Sequence, residues 1–521
     1  MKKLSGIYDL NAGTFASSSS GVAACKDGAL EMEIFGSVYT ASGRNNAPEI
    51  ASLFREYGCG ITEHLSGFYI LLICDGEKLS VFHDRATSPV AFYYTQSGSK
   101  VFFSTSLRDL LNESGIERAL NENTIEEFIV NGYIYGDETL LRDVFKIKAY
   151  HCLAISRAGI EQTPVRYPLT PMTKGEALDR FRETLDSAIE NVISDIDSVS
   201  FPLSSGYDSN YIAYVSTEKA GKTATAFSVG GSSGKNELPL VEKNVRYYKN
   251  LTLKSALTDG GSLRNLPDIV RRLEGNVYES GIFLQYELMK LVSESGKKSL
   301  VCGECADQIM NLHYHDKDRI YPARGELPEY YEFSEYPYIF SSYLILKKSG
   351  ILANSFDIEA RYPYLDERLI SVCKPLGCIS MKDKRVHVAN CRECLPPEVV
   401  ANMSKIGGST DCHSLFTGKK EIKEFFALIE GSSFFKRYGG IIEKHDPLAS
   451  ERQTGVTLLK TKIRNIILTL LHMKREDLFA EEIKLKEYLC VAYLAVFEAL
   501  FVSGSGFSYE DDNLSLYDII R

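Results

Sequence analysis

The chain has 521 residues, 44% hydrophobic and 25% charged, with a net charge of −10. That is material for two or three full cores of an ordinary globular kind. The acidic balance excludes general, charge-driven nucleic-acid binding, which needs a basic surplus, although a local basic groove stays open. No apolar signal-like stretch follows Met1-Lys2-Lys3, because Ser5, Asp9 and Asn11 interrupt it. Twelve cysteines in a long chain without such a segment point to a reducing cytoplasm rather than a disulfide framework.

Residues 1–160 alternate short strand-like runs with turns such as Ser17-Ser18-Ser19-Ser20-Gly21 and Gln96-Ser97-Gly98-Ser99. This predicts a mainly β, two-sheet layout with a few helices. Three prolines within Gln162–Pro171 predict a linker between domains at 1–163 and 172–521. From Thr173, the residues Ala177, Leu178, Phe181, Leu185, Ile189 and Val192 recur at helical spacing, so an amphipathic helix is expected.

Then comes Phe201-Pro202-Leu203-Ser204-Ser205-Gly206-Tyr207-Asp208-Ser209-Asn210, between the strand-like Asp197–Phe201 and the helix start Tyr211–Val215. Small residues let backbone N–H groups close around phosphate oxygens, and a helix N-terminus adds a favourable dipole. Asp208 would repel phosphate directly, so its chemistry suits the magnesium that phosphates carry. Taken alone, the pattern is weak, because Ser-Gly-rich strand-to-helix turns are common and an ordinary capped turn is the favoured reading. Ala224–Gly230 predicts a second strand beside the first, with an adenine pocket near its end. Ser299–Gln308 is a third apolar run closing on Gly303, Glu304 and Asp307. Strand–helix alternation predicts a parallel sheet with ligands at its carboxyl edge.

Residues 312–345 are dense in Tyr (314, 321, 330, 331, 336, 338 and 343), which suits either a substrate pocket or half-buried packing. Asp357–Asp366 and Met403-Ser404-Lys405-Ile406-Gly407-Gly408 follow. The pairs Cys302/Cys305 and Cys391/Cys394 have zinc-ligand spacing. The first straddles the acidic loop, where zinc thiolates would disturb the carboxylates, so structural thiols are the favoured reading. Tyr488–Val502 is too short to span a bilayer and contains Glu498, so it reads as a core helix.

Four of these segments, in this order, resemble the synthetase domain of asparagine synthetases and their relatives, the β-lactam synthetases and lasso-peptide cyclases. The family loop Ser-Gly-Gly-x-Asp-Ser reads here Ser204-Ser205-Gly206-Tyr207-Asp208-Ser209. Gly-Glu-Gly-x-Asp reads Gly303-Glu304-Cys305-Ala306-Asp307. Glu-x-Arg-x-Pro-Phe-Leu-Asp reads Glu359-Ala360-Arg361-Tyr362-Pro363-Tyr364-Leu365-Asp366, and Lys405 precedes the glycine pair. Upstream, His64–Asp75, His83–Tyr94 and Val101–Ser106 resemble strands of the family's N-terminal amidotransferase domain. The implied folds are an Ntn-hydrolase-like αββα sandwich, then an α/β ATP-pyrophosphatase domain (adenine nucleotide α-hydrolase-like) with a parallel sheet and many helices.

Glutamine-using relatives need an N-terminal Cys whose own α-amine is the base. The matching residue here is Ser5, internal and without a thiol. The family's Asn oxyanion donor is replaced by Phe35, which cannot donate. The resemblance therefore implies a retained fold without glutaminase chemistry, and an amine already carried by the substrate. It places Leu203, Ser204, Ser205, Gly206, Asp208, Ser209, Ser228, Val229 and Gly303 around ATP, and Asp208 with Asp307 on Mg2+. Lys405 would stabilise charge on the acyl-adenylate, and Glu304 and Glu359 are the acid–base candidates. Arg361 and Asp366 read as a structural ion pair.

The implied reaction is ATP-dependent amide formation, with lasso-peptide macrolactam closure first. β-Lactam-like or ammonia-dependent amidation of a small acid follows, then a non-catalytic scaffold. β-Lactam synthetases carry Tyr where this chain has Glu304, which counts against that branch. A peptide or small-molecule substrate, a precursor peptide and its leader-peptide protease are the expected partners. No nucleic acid or membrane is expected.

Overall fold

The computed structural model describes residues 2–84, 90–165, 169–231, 236–258, 260–310, 344–376, 384–404, 412–444, 476–502 and 515–520. The first half holds β1 (Ser5–Asp9), β2 (Thr14–Ser17), β3 (Ala23–Asp27), β4 (Leu30–Thr40), β5 (Gly43–Arg44), β6 (Ser66–Cys74), β7 (Lys78–His83), β8 (Tyr93–Ser97), β9 (Lys100–Ser104), β10 (Phe145–Lys146), β11 (His151–Ser156) and β12 (Gly159–Pro164). One antiparallel sheet runs β10-β8-β9-β1-β2, and the other runs β12-β11-β7-β6-β4-β3 with β5 on β4.

Period-two alternation explains the layering. On β6, Ile70 and Leu72 face a core shared with Tyr8, Phe92 and Phe103 of the other sheet. Leu71 and Ile73 face outward, into the cluster that holds Ile50 and Ala51 of the helix α1 (Ala47–Tyr57). Helices α2 (Leu107–Ser114) and α3 (Glu122–Asn131) bury Leu110, Leu111, Ile125 and Phe128 in the same cluster as Phe102 and Tyr93 of the first sheet. The result is an αββα sandwich.

The expected linker begins later than the prolines suggested. Gln162–Pro164 belongs to β12, whose Pro164 pairs with His151. Pro is tolerated there because β12 is an edge strand and Pro164 its last residue.

Helix α4 (Lys174–Ile193) opens the second half with a Thr173–Glu176 capping box. Ala177, Phe181, Leu185, Ile189 and Val192 face the core, but Leu178 departs from the expected stripe and is 47% exposed. Strands β13 (Ser198–Pro202), β14 (Thr223–Gly230) and β15 (Leu251–Leu257) run parallel in that order, and β16 (Ser299–Val301) pairs in parallel with β17 (Glu359–Arg361). β16 lies alongside β13, so the loops after both strands open at one edge. The C-terminal helix Glu476–Phe501 buries Leu489, Val491, Tyr493 and Val496, and Tyr493 stacks on Phe128 of the sandwich. No described helix is long and apolar enough to cross a membrane.

Candidate active site

The loop between β13 and α5 (Tyr207–Tyr214) is tied down by its own small side chains. Ser204 N–H donates to Ser209 Oγ at 3.1 Å, Gly206 N–H to Ser204 Oγ at 3.1 Å, and Asn210 Nδ2 to the carbonyls of Ser204 and Gly206. Leu203 N–H bonds to the Phe227 carbonyl, which brings Ser228 and Val229 of β14 beside the loop at the carboxyl edge. Ser205, where the family has Gly, is fully buried. Its N–H and O–H both reach Glu237 Oε2, at 2.8 and 3.1 Å, and its Oγ also lies 2.8 Å from the Ser404 carbonyl. The segment just before Lys405 is therefore docked on the loop, while Lys405 itself, with Gly407 and Gly408, lies outside the described residues. The Tyr-rich stretch 312–343 lies outside them as well.

The second loop meets the first. A Cβ on Gly303 would lie 3.6–3.8 Å from the Asp208–Ser209 backbone and the Asp208 Cβ. Cys305 holds φ of +70°, in the left-handed region, at the position where the family motif has Gly. Asp307 follows at the start of the short helix Ala306–Met310.

Asp208 and Asp307, a hundred residues apart in sequence, converge on one atom. Lys384 Nζ pairs with Asp208 Oδ2 and lies 2.7 Å from Asp307 Oδ1. His387 Nε2 sits 3.2 Å from Asp208 Oδ1, and the Tyr364 hydroxyl donates to the Asp208 carbonyl at 3.0 Å. Burial alone would raise the Asp208 carboxyl, but the Lys384 ammonium and His387 hold it well below the usual range. Burial likewise pulls Lys384 down, and the two aspartates more than reverse it.

Two carboxylates meeting at a single buried cation are a donor set that fits Mg2+, which takes one or two protein carboxylates and completes its shell with phosphates and water. Among the described residues no group of three or more His, Cys, Asp or Glu forms a metal cluster. Sequence reasoning missed Lys384, His387 and Glu237. The i,i+3 pairing of Lys384 and His387 at the start of the helix Arg385–Cys394 was their only signal.

The acid–base candidates separate. Glu304 stays at the loop, half-buried, 3.5 Å from Gln285 Nε2, and burial raises its carboxyl. Glu359 does not join it. It begins β17, at the far end of that strand from the loops, and points into the seam between the two halves. There it meets Ser37 Oγ at 3.1 Å, Arg44 at 3.1 Å, Lys2 at 3.5 Å and Arg361 at 3.1 Å. Burial favours its neutral form, yet Arg361, Arg44 and Lys2 hold it below the ordinary glutamate range.

The expected Arg361–Asp366 pair is also replaced. Arg361 bonds to Asp195 and Glu359, because residues 359 and 361 share one face of β17, whereas Asp366 pairs with Arg368 past the turn.

Across the seam, a cavity of about 340 Å³ is lined by Phe35, Gly36, Ser37, Glu359 and Arg361. Gly36 is needed there: its φ is +86°, and a Cβ would sit 2.2 Å from the Phe68 carbonyl oxygen. Ser5 is fully buried in β1, its Oγ 3.1 Å from the Ser18 carbonyl and its N–H on Ser19 Oγ. Cys302, Cys305 and Cys391 are buried, and Cys391 Sγ lies 3.7 Å from both His387 ring nitrogens.

Comparisons with known proteins now bear on this geometry. Residues 31–167 match the glutamine amidotransferase domain model, and residues 180–328 match the asparagine synthase model. Nothing among curated proteins matches. Two solved structures are similar in part. One is titled the allosteric regulatory enzyme of purine biosynthesis, with 7% identity over 48% of this chain and 64% of that one, at a TM-score of 0.18. The other is glutamine phosphoribosylpyrophosphate amidotransferase from B. subtilis complexed with ADP and GMP, with 9% identity over 54% and 63%, at a TM-score of 0.17. The chain thus spans under two thirds of the length of either. The asparagine synthase match supports ATP use and ATP-dependent amidation. An amidotransferase-type sandwich followed by a unit that matches the asparagine synthase model, with the loop motifs in family order, supports an asparagine synthetase-family protein.

Proposed function

We propose that the protein is an AMP-forming amide synthetase that activates a substrate carboxylate with ATP and joins it to an amine of the same molecule. Macrolactam closure, as in lasso-peptide cyclases, is the form we favour. The observation that carries the reading is the meeting of Asp208 and Asp307 at one buried point beside the Ser204–Ser209 loop. The surroundings of Ser5 support the internal amine. A buried hydroxyl on a peptide-bonded nitrogen does not fit the amine-assisted attack that glutamine hydrolysis needs, which favours an amine carried by the substrate over ammonia made by the sandwich.

Ser204, Gly206 and Ser209 offer small, donor-rich backbone to the pyrophosphate group, and the start of α5 adds its dipole. Asp208 and Asp307 would hold Mg2+, which neutralises phosphate charge when bound. Lys384 and His387 keep Asp208 ionised and aimed. In the first step the carboxylate oxygen bonds to the α-phosphorus and pyrophosphate departs. In the second, the amine nitrogen bonds to the acyl carbon and AMP departs with the adenylate's bridging oxygen. Glu304, its carboxyl raised by burial, is the general base of this reading, taking the amine's proton. Lys405, which follows Ser404 in the chain, is the counter-charge for the departing phosphate in this reading. A precursor peptide and a leader-peptide protease are the partners this reading implies.

The test is mass spectrometry of candidate peptides and acids incubated with ATP and Mg2+. A product lighter by one water, with AMP and pyrophosphate released, supports the reading. Both should disappear in Asp208→Ala and Lys405→Ala, which remove charge from the phosphate site (about 100-fold or more). Turnover that requires ammonium and yields no cyclic product would refute internal closure.

A further inference from the structure

We propose that a second cavity at the seam binds an uncharged, apolar peptide segment, one of whose backbone carbonyls accepts a hydrogen bond from the Tyr69 hydroxyl. The inference rests on the peptide-closing reading above, and names where the substrate is held away from its reacting atoms. The cavity is about 670 Å³ and is walled by Leu65, Phe68 and Tyr69 of the sandwich and by Val192, Tyr362 and Leu365 of the synthetase unit. That volume falls within the roughly 300–1,000 Å³ of ligand clefts.

Tyr69 carries the argument. It precedes the inward-facing Ile70 on β6, so alternation turns it to the outer face of the sheet, toward the seam. The side chain is fully buried, and its hydroxyl has no hydrogen-bond partner among the described residues. A buried phenol usually finds a partner, and one without it is a cost that the free protein carries. Burial, with the Asp84 and Glu367 carboxylates nearby, raises this phenol well above its ordinary range, so it keeps its proton and offers it as a donor.

The ligand's class follows from what else the wall offers. Both guanidinium groups there already hold carboxylates, Arg44 those of Asp195 and Glu359, and Arg368 that of Asp366. An anionic ligand would have to break one of those pairs, whereas a neutral carbonyl needs only the phenol. Leu65, Phe68, Val192 and Leu365 give apolar wall to the side chains beside that carbonyl. The cavity also abuts the nucleotide site. Tyr362 and Leu365 belong to the turn that carries Tyr364, whose hydroxyl donates to the Asp208 carbonyl at 3.0 Å. The Tyr362 ring meets Phe68 edge-on, with centroids 5.6 Å apart, and so joins the two halves at the cavity. A segment held there lies one turn of chain away from the Ser204–Ser209 loop.

The full chain, without nucleotide, is titrated calorimetrically with N-acetyl-Phe-Leu-amide and with the free-acid form of the same dipeptide. Saturable binding of the amide, tighter than that of the acid, is expected. Tyr69→Phe should weaken it about fivefold, the worth of one neutral hydrogen bond. The same variant should melt at or above the wild-type temperature, because the hydroxyl it removes has no partner to lose. Ala41→Trp, at an exposed position on the cavity wall, should weaken binding about tenfold or more by filling the mouth. Asp208→Ala should change it less than about twofold, since that residue lies beyond the turn. Absence of saturable binding, tighter binding of the acid, indifference to Tyr69→Phe and Ala41→Trp, or a Tyr69→Phe protein that melts early would overturn the proposal. Amide formation without this binding overturns the proposal alone and leaves the synthetase reading in place, whereas binding with these variant effects supports the site even where no amide forms.

Discussion

Replacing Lys384 with Met should reveal what the ammonium does between the two aspartates. Its side chain is 10% exposed, and those of Asp208 and Asp307 are 23% and 27% exposed. Removing one partner of a buried ion pair costs about 3–5 kcal/mol, because the remaining charge keeps its desolvation penalty. Two carboxylates are stranded here, so about 4 kcal/mol is expected. At roughly 2 °C per kcal/mol for a large domain, the melting temperature should fall by about 8 °C. The variant also vacates the point where a divalent cation would sit. If the stranded carboxylates take Mg2+ with about millimolar affinity, 10 mM MgCl2 should restore about 1.4 kcal/mol, or about 3 °C. In the wild type without nucleotide, Lys384 competes for the same two carboxylates until a triphosphate brings the metal, so the shift should be less than 1 °C. Differential scanning fluorimetry with and without MgCl2 reads both effects. A variant that melts with the wild type, or equal magnesium shifts in the two proteins, would refute the reasoning.

Glu359→Gln should cost about 1–3 kcal/mol of stability in urea unfolding, since a hydrogen-bonded charge leaves Arg44, Arg361 and Lys2. Pyrophosphate release should fall less than about threefold, and a hundredfold loss would restore Glu359 to the chemistry. Burial pushes the Glu274 carboxyl up to about 7, with Asp109 adding to it, against the partial relief of the Leu107 and Arg108 amides. A carboxyl raised on folding contributes stability that is full below its unfolded range and lost as pH rises through its folded value. Urea midpoints should therefore fall between pH 5 and 8 more steeply in the wild type than in Glu274→Gln, and parallel profiles would exclude the carboxyl as the cause. Ser5→Ala should leave amide formation unchanged, with no glutamate released from glutamine in either protein. Glutamate that disappears with the substitution would overturn the silent sandwich.

The synthetase loops were legible because phosphate cradles demand particular residue types at fixed spacing, and because the loops occur in order. Asp208 and Asp307 could be paired from sequence for that reason. Lys384 and His387 could not, since a Lys and a His at a helix start are usually solvent-facing, and only tertiary packing aims them inward. Glu359 was misplaced for a different reason. It was read from its motif as an acid–base candidate, but it lies on a strand, where alternation puts 359 and 361 on one face and sends both to the seam. The stripe of α4 was correct except at Leu178, whose position beside Ala177 takes it off the buried face. The end of β12 was obscured by Pro164, because a proline run marks a break unless the strand is at an edge.

The Ser205 amide and hydroxyl already hold the Glu237 carboxylate, so the loop rests with a negative group of its own in hand. Any phosphate oxygen that takes that amide must evict an internal competitor. Triphosphate affinity is then a difference between two anions rather than the full strength of the cradle. Substituting this one acid would retune nucleotide occupancy without altering a single atom of the catalytic constellation.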